Sequence, residues 1–356
     1  MVTQDESQRL VQYRCENCNA PYPLGADDVI TTCPFCGRTI IVDGGELKEH
    51  LLLTNRLSPE GVKTVVSEWV RFAASKSVGT RFIREIEIGE PSLQWIPTFR
   101  VRAQSDTYHF GAQQRGSGNS KHWEKVEERD SRQVTEWVLA RRHAATFGIH
   151  ELIESLEDSE TQSFDIGLTN EAPILNSEIG EDDAPVRAKH KKSERDRADL
   201  NKKVTKLLDY RLEMTPSECT YVHAPYWLVR YEHRDGTFRV AASGATGKVV
   251  LGELPVTKRY RFKNWFVSVL MLLGSALLFQ GTPYITYAIF TSGSSDGDAA
   301  LIPIAMVVIG AILFLAAYKF MGNVLKYEIR MTADAKEREE RFSIAGSIKG
   351  LEERFR

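Results

Sequence analysis

The chain is 356 residues long, 42% hydrophobic and 26% charged, and its 46 Lys and Arg against 48 Asp and Glu leave a net charge of −2. That balance excludes the global basicity by which a whole protein field attracts nucleic acid. The length accommodates one or two soluble domains beside a short membrane segment.

Residues 1–9 read as a flexible N-terminus, and MVTQDESQRL lacks the basic and apolar regions of a cleaved signal peptide. Four of the five cysteines fall in the first forty residues, a clustering that points to metal rather than to a disulfide framework. Cys15 and Cys18 form one C-x-x-C and Cys33 and Cys36 another, with fourteen residues between the pairs. At this spacing two short knuckles each present two thiolates to one tetrahedral Zn2+ ion, so residues 10–45 are expected to form a zinc ribbon. Gly37 follows Cys36 where a knuckle favours positive φ, and Pro34 stiffens the same turn. Thr39 to Val42 reads as a short strand. So small a unit buries little core, and structural zinc contributes about 10 to 16 kcal/mol in finger peptides, so the ion is expected to hold the ribbon together. Four thiolates leave no open coordination position, which makes the expected role structural.

The Tyr13-Arg14-Cys15-Glu16-Asn17-Cys18 and Thr32-Cys33-Pro34-Phe35-Cys36-Gly37 knuckles resemble the zinc ribbon of the transcription factor IIB type. With the apolar hairpin described below, the order of parts also resembles the poorly characterised zinc-ribbon membrane proteins of bacteria and archaea. The resemblance implies a ribbon that contacts other proteins or, in related ribbons, nucleic acid; it implies no established activity. Between Leu10 and Glu46, Arg14 and Arg38 face Glu16, Asp27, Asp28, Asp43 and Glu46, before the charge of the thiolates is added. Phosphate recognition relies on clustered Lys and Arg, so nucleic acid is not the expected partner.

Residues 46–257 read as a cytosolic α+β region. After Gly44-Gly45, a short run from His50 to Thr54 leads to Ser58-Pro59-Glu60, a helix start with Ser as N-cap and Pro at the first helical position. Val62, Val65, Val66, Trp69 and Ala73 supply its apolar face. Arg81 to Ile88 alternates as a strand does, and Trp95 to Ala103 reads as a strand with Pro97 near its start. Ser105 to Ser120 is Gly-, Ser- and Gln-rich, and Gln133 to Ala140 reads as a strand. Asp158 to Lys192 is acidic first and basic later, with Pro173 and Pro185; Lys189 to Lys192 (KHKK) reads as a solvated helix face because Glu194, Asp196 and Asp199 follow. Leu200, Val204, Leu207, Leu208 and Leu212 extend a helical pattern from Ser193 to Leu212. Tyr221 to Tyr231 is then a strand, followed by a three-stranded meander: Pro225 to His233, Thr237 to Ala242 and Lys248 to Leu251, with Asp235-Gly236 as a hairpin turn. Gly244 to Lys248 is a turn, since the Gly and the Ser/Thr that a phosphate loop requires are replaced by Ala242 and Val249. Trp95-Ile-Pro-Thr-Phe-Arg-Val-Arg aligns with His223-Ala-Pro-Tyr-Trp-Leu-Val-Arg, prolines 128 residues apart, which suggests a weak duplication of 46–125 in 126–257.

No catalytic motif emerges. His150-Glu151 lacks the second His of a zincin helix, no Gly-x-Ser-x-Gly elbow is present, and Cys219 reads as an inert half-buried thiol. Trp123, Trp137 and Trp227 read as packing residues. No residue is nominated as catalytic, and the reading leans away from an enzyme.

Residues 258–320 read as a membrane hairpin. About 20 apolar residues span a bilayer core, and the stretches 265–290 and 299–318 meet that length, the first interrupted by Gln280 to Pro283 and read as one helix that Pro283 can kink. Lys258, Arg259, Arg261 and Lys263 precede the first span and Lys319, Lys326 and Arg330 follow the second, whereas the connecting loop carries Asp296 and Asp298. The positive-inside rule therefore places both termini in the cytoplasm of a multi-pass cell-membrane protein. The charged tail, 321–356, carries Ile344, Ile348, Leu351 and Phe355 as one stripe of an amphipathic helix, suited to lie on an anionic inner leaflet or to pack on a partner helix or on the chain's own soluble region, and a homo-oligomer is an admissible assembly. The expected fold class is thus an α+β soluble region with an N-terminal four-cysteine zinc ribbon, followed by a two-helix transmembrane hairpin. The expected function is a membrane-anchored binding or scaffold module. A membrane-tethered nucleic-acid or transcription regulator and a subunit of a membrane enzyme or transporter are the alternatives.

Overall fold

The computed structural model describes residues 11–44, 47–116, 118–142, 146–156, 160–234, 236–291 and 301–334. The N-terminal nine residues, Gly45, Asp235 of the hairpin turn, the 292–298 loop and the amphipathic stripe of the tail lie outside them. In chain order the elements are β1 (Val11–Arg14), β2 (Pro21–Leu24), β3 (Ile30–Thr32), β4 (Thr39–Ile41), β5 (His50–Leu53), α1 (Pro59–Lys76), β6 (Ile86–Ile88), β7 (Ser92–Arg115) and β8 (His122–Leu139). There follow α2 (Ile149–Ser155), β9 (Thr161–Ser163), α3 (Asp183–Lys203), β10 (Lys206–His233), β11 (Gly236–Ser243), β12 (Lys248–Pro255), α4 (Lys258–Thr291), α5 (Leu301–Leu325) and β13 (Glu328–Thr332). The chain divides into two compact units, 1–65 with 90–229 and 241–250, and 66–89 with 230–240 and 251–356.

In the first unit, β7 lies between β8 and β10 in antiparallel register, Thr98 opposite Leu139 and Phe99 opposite Tyr221. β5 joins the other edge of β10 in parallel, His50 beside Tyr221, and β9 closes on β5. Alternation along β7 feeds two cores. Phe99 and Val101 pack with Val138, Tyr221, Ile30 of the ribbon and Ala184 and Ala188 of α3. On the opposite face, Ile96 packs with Trp137, Val222, Tyr226 and the α2 residues Ile149, Leu152 and Ile153. Each fully buried aliphatic or aromatic side chain contributes about 1.5 to 3 kcal/mol, so these two layers fix the sheet's register. The two Pro-aromatic segments face each other: Trp95 pairs with Pro225, Ile96 with Ala224 and Pro97 with His223.

The Ser105 to Ser120 stretch, whose composition assigned it no element, is strand through Arg115, because its backbone pairs with β8 throughout and with β10 as far as Ala112. Aromatic rings of this arm carry cations, Lys125 over the half-buried Phe110 at 5.4 Å and Arg129 over the half-buried Tyr108 at 5.3 Å, as does the exposed Trp123 of β8, with Lys206 at 5.2 Å. The helix expected to run to Leu212 stops at Lys203, and the chain is strand from Lys206. Leu200, Val204, Leu208 and Leu212 recur every four residues, a spacing that keeps one face in a helix and equally in a period-2 strand. Pairing with β7 decides between them.

In the second unit, α1 residues Val66, Val70, Ala73 and Ala74 are buried. The helix is capped as expected, with the Gly61 N–H donating to Ser58 Oγ at 3.1 Å. Trp69 lies against Gly252, where an added Cβ would come within 2.2 Å of the ring, and its indole N–H donates to the Thr332 carbonyl. Arg81–Glu85 is a turn of 3-10 helix, correcting the expected strand; Phe82, Ile83 and Ile86 sit at helical spacing as well as in alternation, and Phe82 is buried. β12 pairs with β13, Glu253 opposite Arg330, and the buried Glu253 carboxylate accepts from Arg239 Nη2 at 2.7 Å.

α4 and α5 pack as a pair of long apolar helices, α4 continuing through Pro283. Ser268 Oγ donates to the Ala317 carbonyl and Ser275 Oγ to the Gly310 carbonyl, both at 2.9 Å. Ser268 and Ser275, like Gly310 and Ala317, lie seven residues apart, so small side chains recur along one seam and let the backbones approach. Both helices are long and apolar enough to cross a membrane. Their outward side chains, Leu273, Leu277, Ile312 and Leu315 among them, are exposed.

Candidate metal centre

The ribbon is two hairpins, β1 with β2 and β3 with β4. Each contributes one knuckle of the same design. The Cys15 N–H donates to the Ala20 carbonyl and the Asn19 N–H returns to Cys15; the Cys33 N–H donates to Arg38 and the Gly37 N–H returns to Cys33. Asn19 and Gly37 occupy the equivalent position after the second cysteine, and both have positive φ, 58° and 74°. The left-handed turn aims both sulfurs of a knuckle to one side.

The four Sγ atoms of Cys15, Cys18, Cys33 and Cys36 all lie within 4.8 Å of one another, with Cys15 to Cys36 at 3.6 Å and Cys18 to Cys33 at 3.7 Å. A disulfide needs about 2.05 Å. Four sulfurs each about 2.3 Å from one tetrahedral ion lie about 3.8 Å apart, so this donor set fits a metal ion of the zinc type. Cys15 and Cys33 are buried, Cys36 is half-buried and Cys18 exposed. Backbone N–H donation from Arg38, aided by the Asn17 side chain, lowers the Cys36 thiol to about 6. Burial pushes Cys33 up to about 12. Cys219, apart from the cluster, is likewise pushed up by burial, to about 11, and its thiol donates to the Glu181 carbonyl.

The ribbon is seated on the rest of its unit by polar contacts. Ile30 bridges to Ser177, and Asn176 donates to Asp28 at 2.7 Å while accepting from Thr31 Oγ1 at 3.1 Å. A second connection went unread in the sequence. Thr39 Oγ1 lies 2.8 Å from His50 Nδ1, His50 Nε2 lies 2.8 Å from His223 Nδ1, and His223 Nε2 lies 3.0 Å from the Leu175 carbonyl. A carbonyl only accepts, so His223 carries its proton on Nε2 and accepts at Nδ1; His50 therefore donates from Nε2, and Thr39 donates to His50 Nδ1. The chain of donors is fixed from the ribbon to the core. His223 is fully buried and His50 stacks on Phe164 at 3.8 Å. Burial lowers His50 to about 2, with the neighbouring His223 adding to the effect, and lowers His223 to about 4. The available signal was a histidine inside the otherwise apolar run Tyr221 to Val229.

No family model, curated protein or solved structure matches the chain. The ribbon therefore stands on its own geometry, a four-cysteine cluster on two hairpins, with no family identified.

Gly37 is the knuckle residue most sensitive to substitution. A Cβ there would lie 3.1 Å from Ile166 Cβ and from Phe164 Cε1, on top of the positive φ; Gly44, at φ 87°, has nothing within 4 Å. Gly37→Ala is expected to cost about 1 to 2 kcal/mol for the left-handed backbone alone, with crowding added, and to lose zinc at lower chelator concentration than Gly44→Ala. Equal chelator midpoints would remove the role assigned to the Phe164 and Ile166 contact.

Proposed function

We propose that the protein is a membrane-anchored docking module, in which a structural zinc ion stiffens a ribbon that presents an apolar contact residue to a protein partner. The observation that carries this reading is Phe35, which is 63% exposed although it sits between two metal-ligand positions, Cys33 and Cys36. A large apolar ring held on a rigid turn binds with little loss of conformational freedom, and aromatic anchors of this kind dominate protein interfaces. The ribbon's exposed Arg38 is engaged by Glu16 at 3.5 Å, which leaves no basic cluster for phosphate.

The anchor is the α4–α5 pair. Trp265 and Tyr284 are exposed on α4 and lie 19 residues apart. That separation is about 28 Å along a helix, close to the roughly 30 Å between the two interfacial belts of a bilayer. The basic residues before α4 and after α5 orient both ends of the pair toward the cytoplasm.

Carbonate-washed membranes are expected to retain the chain. An impermeant maleimide should label a cysteine placed in the 292–298 loop from outside, and affinity capture from the detergent extract should recover a partner that Phe35→Ala loses while keeping its zinc. Release by carbonate, or labelling only after lysis, would overturn the anchor or its orientation; an unchanged partner set in Phe35→Ala would overturn the docking role.

A further inference from the structure

A polar cavity of about 500 Å³ opens on the face of β7 and β8 opposite α3, lined among others by Arg100, Arg102, Gln133, Thr135, Thr161 and Ser217. Its electrostatics are unbalanced. Arg100 is 9% exposed, and its Nη2 donates to Glu218 Oε1 at 3.1 Å; Arg102 Nη1 donates to Glu218 Oε2 at 3.0 Å. One carboxylate thus serves two guanidinium groups, and it also accepts from Thr220 Oγ1 at 2.9 Å. The other acid at the cavity, Glu160, is largely exposed and lies 3.8 Å from a third cation, Arg56. Farther along the same face, Asp106 is occupied by the Ser131 hydroxyl. The sum at Arg100, Arg102 and Glu218 is one uncompensated positive charge.

The hydrogen-bond account points the same way. Arg100 Nε is buried and has no hydrogen-bond partner among the described residues, a costly state for a charged donor. The side chains of Gln133, Thr135 and Thr161 make no hydrogen bonds among the described residues either, so the cavity offers amide and hydroxyl donors beside two guanidinium forks. Guanidinium forks match the paired oxygens of carboxylate and phosphate, and charge-assisted bonds of this kind are the strong ones.

We infer that this cavity is a binding site for the oxyanion group, carboxylate or phosphate, of a small molecule. Arg102, half-exposed, meets the ligand at the mouth, and Arg100 fixes the charge at the floor. Glu218 is the internal competitor that holds both forks in place between binding events. The inference is independent of the ribbon and of the membrane pair.

The test uses the full chain in detergent, titrated by calorimetry with inorganic phosphate and with succinate at constant ionic strength, and with potassium chloride as the reference. Saturable binding of phosphate or of succinate beyond the chloride reference is expected, and the better of the two identifies the oxyanion. Arg102→Gln should weaken it at least tenfold without changing the thermal midpoint of the ligand-free protein, and Glu218→Gln should strengthen it severalfold by removing the competitor. Titrations indistinguishable from chloride, or equal affinity in Arg102→Gln and the parent, would overturn the assignment. Because Arg102 lies at the mouth, its variant keeps the test decisive even if Arg100→Gln fails to fold.

Discussion

Removal of zinc from the cluster of Cys15, Cys18, Cys33 and Cys36 is expected to unfold residues 11–44 as a block. The ribbon's own apolar cluster amounts to Cys15, Tyr22 and Cys33, with Tyr13 and Cys36 against them. That is too little to offset the entropy of ordering some thirty residues, at about 1 to 2 kcal/mol each. Zinc binding, about 10 to 16 kcal/mol in finger peptides, is the largest single favourable contribution open to so small a unit. Native mass spectrometry should find one zinc per chain, lost in Cys33→Ser, and hydrogen exchange in that variant should show deprotection of both hairpins. Deprotection should also reach His50–Leu53, since Thr39 leaves with the ribbon and takes the donor to His50 Nδ1 with it. A zinc-free chain with the parent's exchange pattern would contradict the structural role of the ion.

Acidification should destabilise the fold through the histidine pair. Both folded-state values, about 2 for His50 and about 4 for His223, lie below the 6.5 of an unfolded histidine. The unfolded chain therefore binds protons first as pH falls. The stabilisation is complete above about 6.5 and is lost progressively below it, at about 1.4 kcal/mol per pH unit for each histidine. From pH 7 to pH 5 the two together cost about 4 kcal/mol, a large share of a typical folding stability. Tyr221, whose ring lies 5.1 Å from each imidazole, does not titrate in this range, because burial raises it still further. Urea unfolding of the full chain in detergent, followed by tryptophan fluorescence at pH 7 and pH 5, measures the effect. Glutamine at both positions preserves a donor and an acceptor without a titrating proton, so His50→Gln/His223→Gln should flatten the dependence. Proton competition at the thiolates is common to both proteins and cancels in the comparison. An equal loss in the double variant would assign the acid sensitivity elsewhere.

Several parts of this architecture were legible because a local rule carries them. The cysteine spacing, the Ser58-Pro59 helix start, the apolar lengths of α4 and α5 and the strands from Pro225 to Leu251 each depend on residues close in sequence. Other parts depend on partners far away. The arms of β7 and β10 are too polar to read as core strands, and they are held by a ladder between residues about 100 positions apart, such as Tyr108 opposite Arg211. The Val204, Leu208 and Leu212 spacing satisfies two periodicities at once, so only that ladder could choose. The histidine chain was invisible for the same reason, because His50 and His223 are separated by 173 residues. Arg100 and Arg102 looked like the charged positions of an alternating strand, and their shared carboxylate, Glu218, lies on β10.

The position of β10 governs the order in which the soluble sheet can be made. β5 and β7 leave the ribosome early, yet the strand that covers their edges, through Tyr221–His223 and Trp95–Pro225, is synthesised far later. Contacts so distant in sequence slow folding, and unpaired edges are prone to wrong association while they wait. α4 begins at Lys258, soon after those pairing residues. Closure of the sheet and emergence of the first long apolar helix therefore fall in the same short interval of translation, so a pause between Pro225 and Lys258 would bear on both events at once.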